Sequence, residues 1–174
     1  MLRMMRFPMR RAGGPFLICI GAGMIVGVAL RGNHVVNLAA FLSGVLPGLG
    51  VLLLSSRLSA VTPAPSQVRA LLAAIALEVV LFVALGAFVD PAIAPRAWWL
   101  YACLIVGIHF FPMMVSFGLP MGVLGGLCSA YATLGLLAPG IDFAPLGLLD
   151  GLTKVVVGTW MFKAANQPGL RVPC

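Results

Sequence analysis

Four ionisable side chains, Glu78, His109, Asp150 and Lys154, fall within runs that are otherwise almost wholly apolar. On insertion scales an ionisable group at the centre of a bilayer costs about 2.5–3.5 kcal/mol. Side chains at that cost mark the places where chemistry or assembly is at stake. A carboxylate beside an imidazole can take up and release a proton near neutral pH, where histidine changes charge most readily. Asp150 and Lys154 stand four residues apart, the spacing that puts an acid and a base on one helix face as an ion pair. Two carboxylates and one ammonium leave the set one unit negative. Neutrality in a low dielectric therefore requires either a protonated His109 or one neutral carboxyl. Pro112 follows His109 by three residues and cannot donate the bond that the Ile108 carbonyl would accept. A kink or a local water beside the histidine is expected from that free carbonyl.

The elements that must position these residues are membrane helices. Hydrophobic residues make up 61% of the 174, charged residues only 9%, and mean hydropathy is +1.11. A soluble domain of this length leaves too much of its surface in water to hide so many apolar side chains. Soluble enzymes, disordered chains and disulfide scaffolds are thereby excluded. A helix crosses the roughly 30 Å hydrocarbon core with about 20 apolar residues. That rule predicts an all-α, polytopic membrane bundle of one domain, residues 1–174, with six transmembrane helices. The spans are placed at about 15–30, 35–54, 70–89, 97–116, 120–138 and 145–162 by the roughly 20-residue rule. The segment from Ala97 to Ala138 has no Asp, Glu, Lys or Arg. It is too long for one crossing and is split at Ser116-Phe117-Gly118-Leu119-Pro120, where glycine and proline can turn the chain.

Eleven Lys and Arg against four Asp and Glu give a net charge of +7. The basic residues cluster at the ends of apolar runs, which points to orientation and anionic lipid headgroups, with no nucleic-acid motif. With the N-terminus inside, the cytoplasmic face holds Arg3, Arg6, Arg10, Arg11, Arg57, Arg69, Lys163 and Arg171. Only Arg31 and Arg96 fall outside. The bias places both termini in the cytoplasm. Trp98, Trp99 and Tyr101 then mark the outer interface and Trp160 the inner one. The stretch after Met1–Arg11 lacks a clean A-x-A site, so cleavage as a signal peptide is not expected.

At about 1.5 Å per residue, Glu78 lies roughly 12 Å into the third helix and His109 roughly 18 Å into the fourth, from opposite ends. The two share one depth, Lys154 falls near it, and Asp150 sits one turn outward. All four can form one cluster if their helices adjoin. Buried Glu–His and Asp–Lys pairs can equally serve to fix helix register. Tyr131 could join through its hydroxyl or simply pack locally, and His34 is read as an interfacial polar cap.

Helix association in lipid relies on close packing, to which small residues at four-residue spacing are suited. Such spacing occurs at Gly23 and Gly27, Gly44 and Gly48, Gly147 and Gly151, and at Gly118, Gly122 and Gly126, which would give the fifth helix a glycine face. These faces suit bundle packing or homo-oligomerisation. Leu46-Pro47-Gly48-Leu49-Gly50-Val51-Leu52 is also similar to Leu119-Pro120-Met121-Gly122-Val123-Leu124. That similarity raises the alternative of an inverted repeat of three helices each.

No HExxH, GxSxG or nucleophile–base spacing occurs, so no enzyme activity is expected. Cys19, Cys103, Cys128 and Cys174 include no CxxC pair, and His34 and His109 lie at different depths, so no metal or other cofactor is expected. Two functions remain. One is a small proton-linked transporter or channel-like protein using Glu78 and His109. The other is a non-catalytic accessory or assembly subunit of a larger membrane complex. The partners expected are the lipid bilayer and either a second copy or a larger complex. Finally, Gly107-Ile108-His109-Phe110-Phe111-Pro112, following Trp98-Trp99, resembles the G-x-H-F-x-P segment of uncharacterised small multipass bacterial membrane proteins. The resemblance implies a bacterial inner membrane, draws attention to His109 and brings no activity with it.

Overall fold

A computed structural model describes residues 7–30, 34–58 and 62–166. Within them the chain forms six helices and no strand: α1 (Arg10–Leu30), α2 (His34–Leu58), α3 (Pro65–Phe88), α4 (Pro95–Phe117), α5 (Leu119–Leu137) and α6 (Phe143–Asn166). Arg3, Arg6, Arg31 and Arg171, on which part of the orientation argument rests, lie outside the described residues, as do Cys174 and the side chains of His34 and Arg57.

The helix limits follow local chemistry. Proline stands in the first turn of α3, α4 and α5. Its missing N–H costs nothing there, and its fixed φ is already helical. Gly118 separates α4 from α5 with φ 82° and ψ −171°, a conformation open to glycine almost alone. The uncharged run therefore breaks within the five-residue segment where it was expected to. Pro47 lies inside α2, whereas Pro120 lies in the first turn of α5. The two similar Leu-Pro segments thus occupy different places in their helices.

Four helices, α1, α3, α4 and α5, are each long and apolar enough to cross a membrane. α2 contributes an apolar stretch over Val35–Val51. α6 has 24 residues, enough to span, but carries Asp150 and Lys154 in its middle.

The helices follow chain order around the bundle, except that α2 and α3 make no extensive contact and α1 packs against α6 instead. α1 lies between α2 and α6, and α5 lies between α4 and α6. α3 rests chiefly on α4, and α2 chiefly on α1. The result is an arc in the order α2, α1, α6, α5, α4, α3, with α4 touching α6 across its inside. The end nearest the start of α1 is filled by Leu17, Phe110, Met113, Phe117, Met121, Leu124 and Met161.

Glycine permits the closest helix approaches, though not along the stripe anticipated on α5. A Cβ at Gly14 would lie 2.6 Å from the Gly158 carbonyl oxygen, and one at Gly21 would lie 2.5 Å from that of Gly151. The α1–α6 contact is thus backbone against backbone. Gly23 meets Ala40 and Gly44 of α2 in the same way. On α5 the close contact falls to Gly125, whose Cβ would lie 2.8 Å from the Gly107 carbonyl oxygen of α4. Gly118 is in the turn, Gly122 faces the side chain of Met114, and Gly126 faces open space. The i,i+4 pattern alone carries no information about which face of a wholly apolar helix meets a neighbour.

Two arginines close helix ends. Arg10 Nε donates to the Phe117 carbonyl oxygen at 2.6 Å, at the end of α4, with its guanidinium 4.6 Å from the Phe7 ring. Arg96 donates to the carbonyls of Gly135, Ala138 and Ile141 at 2.7–3.2 Å, in and just beyond the last turn of α5. Both satisfy carbonyls that a helix leaves unbonded at its C-terminus, where a cation also opposes the negative dipole end. Ser116 Oγ, at the end of α4, donates to the Gln67 carbonyl oxygen at 2.6 Å and ties α4 to the start of α3.

Candidate functional site

The four ionisable residues form two neighbouring pairs. Glu78 of α3 and His109 of α4 approach to 3.8 Å between Oε2 and Nε2, within ion-pair range and beyond a direct hydrogen bond. The histidine side chain is 6% exposed and the glutamate 27%. His109 therefore looks into the bundle, while Glu78 sits at its edge. The other ring nitrogen, Nδ1, is buried and makes no well-aligned hydrogen bond. The packing of α3 on α4 brings this pair together, with Leu85, Ala102 and Ile105 forming the apolar contact further along.

Asp150 and Lys154 are bonded to each other on one face of α6 through Lys154 Nζ and Asp150 Oδ2. Both side chains are about 2% exposed. Removing two charges from solvent is costly unless each is paired and hydrogen-bonded. Lys154 Nζ also lies 3.6 Å from Cys128 Sγ of α5. Asp150 Oδ1 is buried and has no well-aligned hydrogen-bond partner. The thiols of Cys103 and Cys128 are close enough to feel both charges, but a thiol is a weak donor. Lys154 is also close enough to act electrostatically on His109. The lysine is therefore the link between the two pairs. No hydrogen bond joins Tyr131 to either pair among the described residues, and its side chain is half-buried on α5.

Away from the filled end, the bundle is hollow. A partly open cavity of about 220 Å³ lies between α1, α2, α3, α4 and α6. Aromatic side chains form much of its wall: Phe41 of α2, Phe82 of α3, Trp98 and Trp99 of α4, and Phe143 of α6. Trp99 is the centre of this group, with ring centroids 5.1 Å from Trp98, 6.4 Å from Phe41 and 6.3 Å from Phe143. Asp150 and Lys154 also line the cavity, as do Cys103 and Asn37. The Asn37 side-chain oxygen is buried without a hydrogen-bond partner.

Sequence reasoning singled out the charged residues but missed this cavity. Trp98 and Trp99 were read as markers of the membrane interface, and both are half-buried against the cavity. Tyr101 and Trp160 are exposed. The aromatic pair at a helix end and the buried Asp150 and Lys154 are traces of the cavity in the sequence, but they do not assemble it there, because its walls come from five separate helices. Among the described residues no group of three His, Cys, Asp or Glu side chains is arranged to hold a metal ion.

No curated protein and no solved structure matches this chain. The model of a family of unknown function, DUF6609, matches residues 2–170. That match takes in all six helices, both ionisable pairs and the cavity, and the chain belongs to this family.

Proposed function

We propose that the chain is a six-span protein of the bacterial plasma membrane, with both termini in the cytoplasm, acting as a small proton-linked transporter or channel-like protein. The observation that carries this reading is the Glu78–His109 pair, 3.8 Å apart between two helices. Glu78 at the bundle edge gives a proton a point of entry, and buried His109 receives it on the inner side of α4. Glu78 attracts a positive charge on His109, and Lys154 repels it. The Ile108 carbonyl, left without a helical N–H donor by Pro112, supplies an acceptor for a water beside the histidine.

The test is proton flux in vesicles reconstituted with the purified chain, read by a trapped pH dye under an imposed potassium potential. Flux above that of empty vesicles, lost in Glu78→Gln and His109→Ala while both variants insert normally, is the expected result. Flux unchanged in Glu78→Gln removes that carboxylate from the mechanism.

One observation favours a second reading, that of an accessory or assembly subunit. α3 rests chiefly on α4 and leaves Leu72, Val79, Val80 and Val83 exposed along its length. Extraction in mild detergent tests this directly. Stoichiometric co-purification with other membrane polypeptides supports the subunit reading, and a lone monomer or homo-oligomer supports transport.

A further inference from the structure

The cavity and the unsatisfied oxygen of Asp150 lead to a ligand. We propose that the cavity is a binding site for a neutral, single-ring aromatic alcohol taken from the bilayer, with its hydroxyl donating to Asp150 Oδ1. This inference stands apart from the proton-linked reading, since neither Glu78 nor His109 lines the cavity.

Size sets the first limit. A dry cavity of about 150 Å³ is known to hold benzene. At about 220 Å³ this one accepts a substituted ring and is too small for a whole lipid. Shape sets the second. Phe41, Trp98, Trp99 and Phe143 present edges and faces suited to offset or edge-on packing against another ring, worth about 0.5–1.5 kcal/mol per aromatic pair beyond area burial. Entry from the membrane is available between α2 and α3, which supply opposite walls and make no extensive contact with each other.

The polar floor selects the head group. Asp150 is 1% exposed. One of its oxygens bonds Lys154, and the other has only the weakly donating thiols of Cys103 and Cys128 beside it and no well-aligned hydrogen bond. A carboxylate oxygen without a strong donor in a low-dielectric site carries a desolvation cost that an O–H group relieves. The amide oxygen of Asn37, also buried and unpartnered, offers a second acceptor on the facing wall. Asp150 and Lys154 together are charge-balanced. A charged head group would leave a net charge in the site, so a neutral hydroxyl fits and an ammonium or carboxylate does not.

The test uses the two tryptophans of the wall. In Trp160→Phe, emission comes only from Trp98 and Trp99. The purified full chain in micelles is titrated with 4-bromophenol, a heavy-atom quencher, and with 4-bromotoluene, which replaces the hydroxyl by a methyl group of similar size. Both titrations are scaled to each compound's partitioning into empty micelles. Saturable quenching by 4-bromophenol, at least about tenfold tighter than by 4-bromotoluene, is expected from one hydrogen bond to a charged acceptor. Ala102→Phe should fill the cavity and abolish the saturable phase. Leu38→Phe, on less tightly held α2, does the same should Ala102→Phe fail to fold. Linear quenching, equal quenching by the two compounds, or saturable quenching that survives cavity filling overturns the proposal. Linear quenching would mean that water or an acyl chain occupies the cavity, equal saturable quenching that Asp150 selects no hydroxyl, and quenching that survives filling that the probe binds elsewhere.

Discussion

Lys154→Met is the most informative single change in the bundle. The methionine keeps most of the lysine's length and volume but removes the ammonium. Asp150 is then left 1% exposed, with neither oxygen paired to a cation and only the thiols of Cys103 and Cys128 nearby. Breaking a buried ion pair in this way costs about 3–5 kcal/mol, because the remaining charge is uncompensated. Using 1.4 kcal/mol per tenfold, the unfolded fraction should rise by at least roughly a hundredfold. The double variant Asp150→Leu with Lys154→Met removes both charges at once and replaces them with apolar volume. Such replacements are often neutral or stabilising, so the double variant should recover most of the loss and lie within about 1–2 kcal/mol of the parent. The assay is unfolding by a denaturing detergent added to a mild one, followed by helicity and by size on gel filtration, with Asp150→Leu alone completing the cycle. Lys154→Met as stable as the parent would show that Asp150 is not held as a charge. A double variant weaker than both single variants would show that the pair itself stabilises the bundle, against the reasoning that its desolvation cost cancels its attraction.

Further consequences concern the backbone. Gly14→Ala should destabilise by about 1–3 kcal/mol in the same assay, as overpacking does, because its Cβ would lie 2.6 Å from the Gly158 carbonyl oxygen. Gly126→Ala, with nothing within 4 Å of the added carbon, should be neutral or stabilising by up to about 1 kcal/mol through helix propensity. Equal effects of the two would refute the assignment of helix faces. Arg96→Ala should cost about 1–2 kcal/mol by freeing carbonyls at the end of α5, seen as faster amide exchange there than in the parent. Gly118→Ala should lower the thermal midpoint in detergent: any Cβ at φ 82° is strained, and Arg10 and Phe7 already occupy the space it would enter.

How much of this was legible from residues alone divides along a physical line. A membrane helix satisfies its own backbone, so its existence depends on local length and hydropathy, and both can be counted along the chain. The all-helical class, the break near Gly118 and the candidacy of Glu78, His109, Asp150 and Lys154 needed nothing further. The Asp150–Lys154 spacing is also local, a property of one helix. Which faces meet is not local. Leucine, valine and glycine read alike whether they face lipid or a neighbouring helix, so Gly125 and Gly126 cannot be told apart until α4 is seen beside one and open space beside the other. The arc order of the helices, the contact of Glu78 with His109, the place of Cys128 at Lys154, and the aromatic cavity arise only when distant segments pack. Trp98 and Trp99 show the difference most plainly. Their composition and position suit an interfacial belt, and packing among α2, α3 and α6 also makes them the wall of a cavity, which no local pattern foretells because a cavity belongs to the space between helices.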